Sequence, residues 1–224
     1  VCALENNIEV FQPQSFKKGE DAEKSIQILK DIAPDYIIVV AFGKLLPKEV
    51  LDIPKYGCIN VHASLLPKYR GAGPIQWSVL NGEKKTGVTT MLMAEGLDTG
   101  DMLLKASTEI GKNETASELH DRLSVVGADL LIKTLEELEK GNITPQKQDD
   151  SLSCYAPMLS KDMCPIDFSK SVIDIHNQIR GLSDWPCATA MLNNKRIKIY
   201  KSEIISTKEK NNNFGQIINE KDLT

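Results

Sequence analysis

The chain has 224 residues, of which 41% are hydrophobic and 26% charged, a composition typical of a globular protein with a buried core. Its net charge of −4 gives no global sign of a nucleic-acid binder, and no apolar run approaches the ~18 residues that span a membrane. Its five cysteines form no C-x-x-C pair and have no His at ligand spacing, so we expect neither a metal site nor a disulfide framework. These features favour a cytoplasmic protein with reduced thiols.

The first half of the sequence alternates short strands and helices. "IEVFQP" predicts a strand, residues 21–32 a helix, and "DYIIVVAFG" a strand buried on both faces. "GCINVHAS" predicts the next strand and residues 73–80 a short helix, followed by the strands "GVTTMLM" and "DMLLKASTEI". This order favours a Rossmann-like α/β domain with a mostly parallel sheet over residues 1–143.

The best-defined element is the helix that follows these strands. Thr115 and Glu118 have the spacing of a capping box at its start. Leu119, Leu123 and Leu130 belong to an apolar stripe, and a glycine at position 141 suits the C-terminal cap. We therefore expect one long helix packed against the sheet.

After residue 143 the pattern changes. Residues 144–162 are polar, weakly periodic and contain prolines, which predicts a linker that wraps over the surface. From residue 163 to 224, "SVIDIHNQIRGL" predicts an amphipathic helix, and "CATAML", "KRIKIYKSEII" and "FGQII" predict short strands. We interpret this part as a small OB-like β-barrel domain that is incomplete.

Two polar residues interrupt the apolar strand "GCINVHAS". Because strand side chains alternate, Asn60 and His62 point to one face while their neighbours point to the other. The loop that follows lies beyond the end of a strand, where α/β sheets keep their ligand crevice. Asp98 stands between two glycines in a later turn, which lets that turn approach a ligand closely. These three residues are the candidate reaction site.

Structural roles are also open for each of these residues. Asn60 and His62 can be satisfied by backbone hydrogen bonds, and Asp98 can serve only to form its turn. His120 and His176 lie on helices, where we expect surface or boundary positions rather than function.

The segment "NVHASLLPKYRGAGPIQ", followed 30-odd residues later by "GLDTGDML", resembles the folate-dependent formyltransferases. The resemblance covers nearly the whole chain, from "VFQP" through "VVAFGKLLP" to "LSKDMCPIDFS". Within the family it is nearest to the branch that acts on methionyl-tRNA. The combined motifs are much more specific than any one of them.

The resemblance implies transfer of a formyl group from 10-formyltetrahydrofolate to the α-amino group of methionine on the initiator tRNA. The essential Asn, His and Asp of the family correspond to Asn60, His62 and Asp98. The Asn60 amide can donate to the oxyanion that develops on the formyl oxygen. His62 and Asp98 can move protons from the amine toward the leaving nitrogen N10 of folate, and the sequence does not divide this task between them.

The resemblance also assigns binding residues. Those expected to contact folate are Phe42, Gly43, Leu45, Ser64, Leu65, Leu66, Pro67, Gly96 and Leu97. Those expected to contact tRNA are Arg70, Lys195, Arg196 and Lys198, the last three in a basic stripe that also includes Lys201. On an exposed edge strand such a stripe can instead protect against aggregation.

Family members begin with a strand–helix–strand unit and a basic loop that this sequence does not contain. We therefore expect the chain to be part of a longer protein, with a bare flank beside "YIIVVA" or "CINVHA". We also expect a monomer. The alternatives are a folate-dependent formyltransferase or hydrolase acting on a sugar nucleotide or glycinamide ribotide, and a catalytically silent RNA-binding module.

Overall fold

The computed structural model describes residues 2–17, 19–205 and 214–217. Six helices lie in this part of the chain: α1 (Cys2–Glu5), α2 (Glu20–Ile32), α3 (Lys48–Leu51), α4 (Pro74–Leu80), α5 (Ala116–Glu139) and α6 (Val172–Gly181). Six strands accompany them: β1 (Ile37–Val39), β2 (Cys58–His62), β3 (Lys85–Leu92), β4 (Met102–Glu109), β5 (Ala188–Leu192) and β6 (Lys195–Ile199). Short 3-10 turns lie at Asp150–Leu152 and Lys161–Met163.

Strands β1 to β4 form a sheet in the order β1-β2-β3-β4. The predicted Rossmann-like α/β architecture is confirmed, but the sheet is mixed rather than mostly parallel over the described residues. β1 pairs parallel with β2, whereas the β2–β3 and β3–β4 pairings are antiparallel. Only residues 93–101 connect β3 to β4, and a parallel crossover needs about a dozen residues or more. The two strands therefore form a hairpin.

The predictions for the two earliest strands were partly wrong. "IEVFQP" forms no strand, and its side chains Ile8, Val10 and Phe11 are exposed. A strand needs a neighbour that pairs with its backbone, and no described strand lies beside this segment. β1 is at the sheet edge and is not buried on both faces, since Ile38 and Val40 are exposed. Among the residues that the structure describes, the outer edge of β1 has no strand beside it, and this edge is the bare flank that we expected.

Helix α5 covers one face of the sheet, as predicted. The Thr115 hydroxyl accepts from the Glu118 N–H while the Glu118 carboxylate accepts from the Thr115 N–H, which completes the capping box. At the other end Gly141 has a φ of 70° and its N–H donates to the carbonyl of Leu138. Leu119, Leu123 and Leu130 pack with Val79 and Val88 in the main core. The helix thereby fixes which face of β2 is apolar.

Helix α6 is tied to the first half of the chain by buried polar contacts. Arg180, buried within α6, donates to the backbone carbonyls of Gly111 and Glu114 at 3.3 and 3.1 Å. Lys201 pairs with Glu118 at 2.6 Å, and together with the capping bonds from Thr115 it lowers the pKa of Glu118 to about 2. The carboxylate is consequently ionised at neutral pH. The predicted boundary at residue 163 stays a prediction, but polar contacts cross it.

The predicted OB-like β-barrel, which we expected to be incomplete, is not confirmed: no closed barrel forms in the described part of the chain. β5 and β6 make a two-stranded antiparallel hairpin. β6 ends at Ile199, so residues 200–205 of the predicted strand are not in a sheet. Part of "FGQII" lies outside the described residues, and the part that is described contains a turn. Two strands present too few pairing edges to close a barrel.

A search of the described helices found none with the length and hydropathy needed to cross a bilayer.

Candidate active site

Asn60 and His62 lie on the face of β2 that points away from α5. The intervening Val61 packs against the main core, and a Cβ atom on Gly127 of α5 would lie 3.2 Å from its Cγ1 atom. Side-chain alternation then directs Asn60 and His62 to the opposite side. His62 is buried and Asn60 half-buried, so both need polar partners there.

Asp98 supplies those partners from the loop between β3 and β4. The Asn60 Nδ2 atom donates to Asp98 Oδ1 at 3.4 Å, and His62 Nδ1 lies 3.7 Å from Asp98 Oδ2. The Asp98 side chain is only 13% exposed. The predicted convergence of the three side chains is confirmed by these distances. Their catalytic roles stay a prediction.

The imidazole of His62 is held in one tautomer by the backbone. Its Nε2 atom lies 2.9 Å from the carbonyl oxygen of Tyr69. A carbonyl only accepts hydrogen bonds, so Nε2 carries the hydrogen and donates it. In neutral His62 the lone pair is therefore on Nδ1, the atom that faces Asp98.

Tyr69 is itself anchored on several sides. Its hydroxyl donates to Glu83 Oε1 at 2.8 Å and accepts from the Asn81 amide at 3.1 Å, while its backbone N–H donates to Cys154 Sγ at 3.2 Å. Burial, together with Glu83, raises the pKa of Tyr69 to about 12. The phenol therefore stays protonated at neutral pH. The hydrogen bonds to Glu83, Asn81 and Cys154 hold the residue in place, and with it the backbone carbonyl that orients His62.

Gly71 brings a backbone donor to the same carboxylate. Its N–H donates to Asp98 Oδ2 at 2.8 Å, and its φ of 117° is one that other residues rarely adopt. A Cβ atom at this position would lie 2.6 Å from the Tyr155 ring and 2.7 Å from the carbonyl oxygen of Ala156. Only glycine fits between the Asp98 loop and the chain at Tyr155 and Ala156.

The chain at Tyr155 belongs to a segment that we predicted to be a surface linker. Residues 146–157, here called the 146–157 segment, run along the site with most of their side chains exposed. The backbone of Arg70 forms a parallel β-bridge with this segment. Its N–H donates to the Cys154 carbonyl at 2.9 Å, and its carbonyl accepts from the Ala156 N–H at 2.7 Å. Trp77 Nε1 donates to the carbonyl of Pro157 at 2.8 Å. The linker interpretation stays a prediction; most of these residues are exposed, and the backbone pairing that holds them to the site leaves no sequence period.

The structure places two further side chains behind Asp98. Arg70 has a side chain only 12% exposed, and its guanidinium pairs with Asp150 at 2.8 Å and donates to Gln148 Oε1. The predicted tRNA contact at Arg70 stays a prediction, but these contacts give it a supporting position in the site. Sequence reasoning missed Gln148, because a single Gln in a polar, aperiodic segment carries no signal.

The residues predicted to bind folate divide into buried and accessible groups. Leu66 packs against Met91 and Met102, and the buried Ser64 donates to the Lys68 carbonyl at 2.6 Å, so these two shape the loop after β2. The accessible or half-buried ones are Phe42, Gly43, Leu45, Leu65, Pro67, Gly96 and Leu97. Gly43 and Leu45 line a cavity of ≈ 360 Å³ whose opposite wall is residues 14–17. All nine assignments stay predictions.

The predicted basic stripe lies on β6 and just beyond it. Strand alternation directs Arg196 and Lys198 to one face and Lys195 to the other, and all three are exposed. Lys201 is engaged by Glu118. The tRNA contacts predicted for Lys195, Arg196 and Lys198 stay predictions, and of the three only Arg196 and Lys198 share a face of β6.

The remaining histidines lie away from the three candidate catalytic residues. His120 is exposed next to Asp121, whereas His176 is buried between Ser202 and the Lys112 carbonyl at 2.8 and 3.0 Å. Among the described residues, no group of three or more His, Cys, Asp or Glu side chains is arranged to hold a metal ion.

Comparison with known proteins identifies the family. Residues 3–135 match the family model described as formyl transferase, and residues 158–223 match the formyl transferase C-terminal domain. The chain belongs to the formyl transferase family. A methionyl-tRNA formyltransferase from Clostridium novyi (strain NT) is 56% identical over 217 residues, which are 97% of this chain and 69% of that protein. The chain is thus an enzyme of the formyl-transferring class, and spans about two thirds of that relative.

Solved structures of formyltransferases share the fold. A sugar N-formyltransferase from Shewanella sp. FDAARGOS_354 superposes with a TM-score of 0.71 at 22% identity, over 92% of this chain and 81% of that one. WlaRD, a sugar 3N-formyl transferase solved in the presence of dTDP and 5-N-formyl-THF, superposes with a TM-score of 0.66 at 26% identity, over 87% of this chain and 66% of that one. Folate-derived formyl donors are therefore bound within the family.

We predict that Gly71→Ala lowers both stability and formyl transfer. The added methyl group would meet Tyr155 and Ala156 and displace the N–H that holds Asp98, and overpacking of this kind costs about 1–3 kcal/mol. Gly141→Ala is the matched control, since position 141 also has a positive φ but its Cβ would meet nothing within 4 Å. Urea unfolding and formylation rates of both variants provide the measurement.

The control should lose about 1 kcal/mol of unfolding free energy from backbone strain and keep its activity. If Gly71→Ala behaved like Gly141→Ala in both measurements, the close approach of the 146–157 segment would not constrain the site.

Proposed function

We propose that this formyltransferase transfers the formyl group of 10-formyltetrahydrofolate to the α-amino group of methionine on the initiator tRNA. The observation that carries the proposal is the convergence of Asn60, His62 and Asp98 on one face of β2. The 56% identity to the methionyl-tRNA formyltransferase of Clostridium novyi supports this acceptor. In the proposal the enzyme acts in the cytoplasm as a monomer and needs no metal.

The reaction exchanges one carbon–nitrogen bond for another. The neutral amine attacks the formyl carbon, and the formyl oxygen carries negative charge in the tetrahedral intermediate. The bond from this carbon to N10 of folate then breaks, and its electron pair stays on N10. The amine loses one proton and N10 gains one, so the site must stabilise an oxyanion and move a proton.

Asn60 suits the task of stabilising the oxyanion. Its amide has two hydrogens, and the contact to Asp98 Oδ1 uses one of them. The second is available to the formyl oxygen as charge develops on it. Because an ionised carboxylate only accepts, Asp98 also orients the amide with its NH₂ group toward the site. An amide donor brings no charge of its own that must be neutralised before reaction.

His62 and Asp98 suit the task of moving the proton. The backbone fixes the hydrogen on His62 Nε2, so Nδ1 is the nitrogen that takes up or releases a proton, and the Asp98 carboxylate lies 3.7 Å from it. We propose that the amine proton passes through this pair to N10. Protonated Nδ1 would gain an ionic contact to Asp98, and that contact stabilises the intermediate stage of the transfer.

Recognition of the two substrates is assigned to separate surfaces. For folate we propose the accessible residues of the predicted set, with Leu65 and Leu97 in the loops that follow β2 and β3 and Phe42, Gly43 and Leu45 near the described cavity. For tRNA we propose that Arg196 and Lys198 contact phosphates, since they share one exposed face of β6.

A sugar nucleotide is the second candidate acceptor. The observation in its favour is the likeness to WlaRD, which is described as a sugar 3N-formyl transferase. Its identity to this chain is 26%, against 56% for the methionyl-tRNA formyltransferase, so methionyl-tRNA is the better supported acceptor.

We predict that the protein formylates Met-tRNA in preference to other amines. The experiment supplies 10-formyltetrahydrofolate with equal concentrations of initiator Met-tRNA, a dTDP-amino sugar and glycinamide ribotide, and measures each formylated product. The proposal expects a kcat/KM for Met-tRNA at least ~10²-fold above the others. Faster formylation of the amino sugar would replace the proposed acceptor, and the absence of any formylated product would contradict the whole proposal.

We predict that Asn60→Ala lowers kcat by ~10²–10³, or about 3 kcal/mol, because the lost donor acts on the oxyanion. The KM for 10-formyltetrahydrofolate should change by less than about threefold, since the donor contributes little to ground-state binding. Single-turnover formylation at saturating folate measures the first quantity and steady-state kinetics the second. A raised KM with unchanged kcat would instead make Asn60 a ligand-positioning residue.

A further inference from the structure

The side chain of Gln148 connects the 146–157 segment to the Asp98 loop. Its Nε2 atom donates to two backbone carbonyls, those of Asp98 and Gly100, each at 2.8 Å. Gln148 is buried, so water has little access to these bonds. Both amide hydrogens are therefore used on the two sides of one short turn.

Arg70 fixes the orientation of this amide. Its Nε and Nη2 atoms donate to Gln148 Oε1 at 3.0 and 2.8 Å. A guanidinium only donates and a carbonyl only accepts, so the reversed amide would face the wrong partner at all four contacts. An apolar or acidic side chain of the same length could not both accept from the Arg70 guanidinium and donate to the two backbone carbonyls. The position requires a primary amide.

The Asp98 loop depends on outside contacts for its shape. Asp98 has a φ of 52°, a left-handed conformation that is uncommon for residues other than glycine. Residues 94–97, which lead into it, are exposed. The turn is therefore held by its buried neighbours, and Gln148 binds the carbonyl of Asp98 itself.

We propose that Gln148 is a positioning residue for formyl transfer. Its amide fixes the turn so that the Asp98 carboxylate faces Asn60 and His62 rather than solvent. The inference rests on the proposed function, because it assigns Asp98 a part in the reaction. A displacement of about 1 Å in a reacting group can lower a rate by ~10²-fold, so loss of this clamp should appear in kcat.

The test compares Gln148→Met with Gln146→Met. Gln146 lies on the same segment with an exposed side chain, and it is its backbone that pairs with Met102. We expect Gln148→Met to lower kcat for formyl transfer by ~10–10²-fold with KM values changed by less than about threefold. Gln146→Met should keep the wild-type kcat.

A second variant distinguishes loss of positioning from misfolding. Gln148→Glu retains the length of the side chain and its contact with Arg70, but turns a carboxylate oxygen toward the two carbonyls. We expect a loss of kcat at least as large as for Gln148→Met, with folate binding measured by fluorescence titration still present. A Gln148→Glu variant that binds folate and has the wild-type kcat would overturn the proposal.

The double variant Asp98→Asn/Gln148→Met separates positioning from general structural damage. If Gln148 acts through the Asp98 carboxylate, its substitution should change the rate by less than about twofold once that carboxylate is gone. Multiplication of the two losses would overturn the proposal, since independent damage is additive in free energy. So would a wild-type kcat for Gln148→Met.

Failure of the proposed function has a different signature. It would show as wild-type protein that does not formylate Met-tRNA but does formylate an amino sugar. The same variants would then be compared on that acceptor, where a wild-type rate for Gln148→Met would still overturn the positioning role.

Discussion

The position of the Asp98 carboxylate is the constraint on which the rest of the site depends. A carboxylate that is largely buried is costly unless donors face it, and here those donors come from segments far apart in sequence. The Gly71 N–H and the Asn60 amide bind its oxygens, while His62 Nδ1 lies close to one of them. The carboxylate therefore joins β2, the loop after β2 and the β3–β4 loop in one arrangement.

This arrangement explains why the surrounding fold is built as it is. Helix α5 occupies the other face of β2, and the apolar side chain of Val61 is directed to it. The Tyr69 carbonyl sets the tautomer of His62, and the close approach of the 146–157 segment makes glycine necessary at position 71. The groups that we propose to act on the reacting atoms are thus held in place before substrate binds, which would reduce the reorganisation required during reaction.

Local patterns were sufficient to predict the elements whose stability is local. The capping box and apolar stripe of α5 predicted that helix, and strand alternation placed Asn60 and His62 on one face. Features that depend on distant partners could not be predicted from local patterns. "IEVFQP" forms no strand without a neighbour, and the contacts of Gln148 to a loop some 50 residues earlier leave no mark on the sequence around it. The glycines on either side of Asp98 made it a candidate but left open that it only forms its turn, and the resemblance to known formyltransferases gave it a part in the reaction.

The most direct test is the single-turnover rate of Asp98→Asn with 10-formyltetrahydrofolate and initiator Met-tRNA. Asparagine keeps the size of the side chain and an oxygen that accepts from Gly71, but removes the charge that faces His62. The account predicts a rate at least ~10²-fold below wild type with folate binding intact, which is the size expected for loss of a group that moves protons. A wild-type rate for this variant would contradict the central role assigned to the carboxylate.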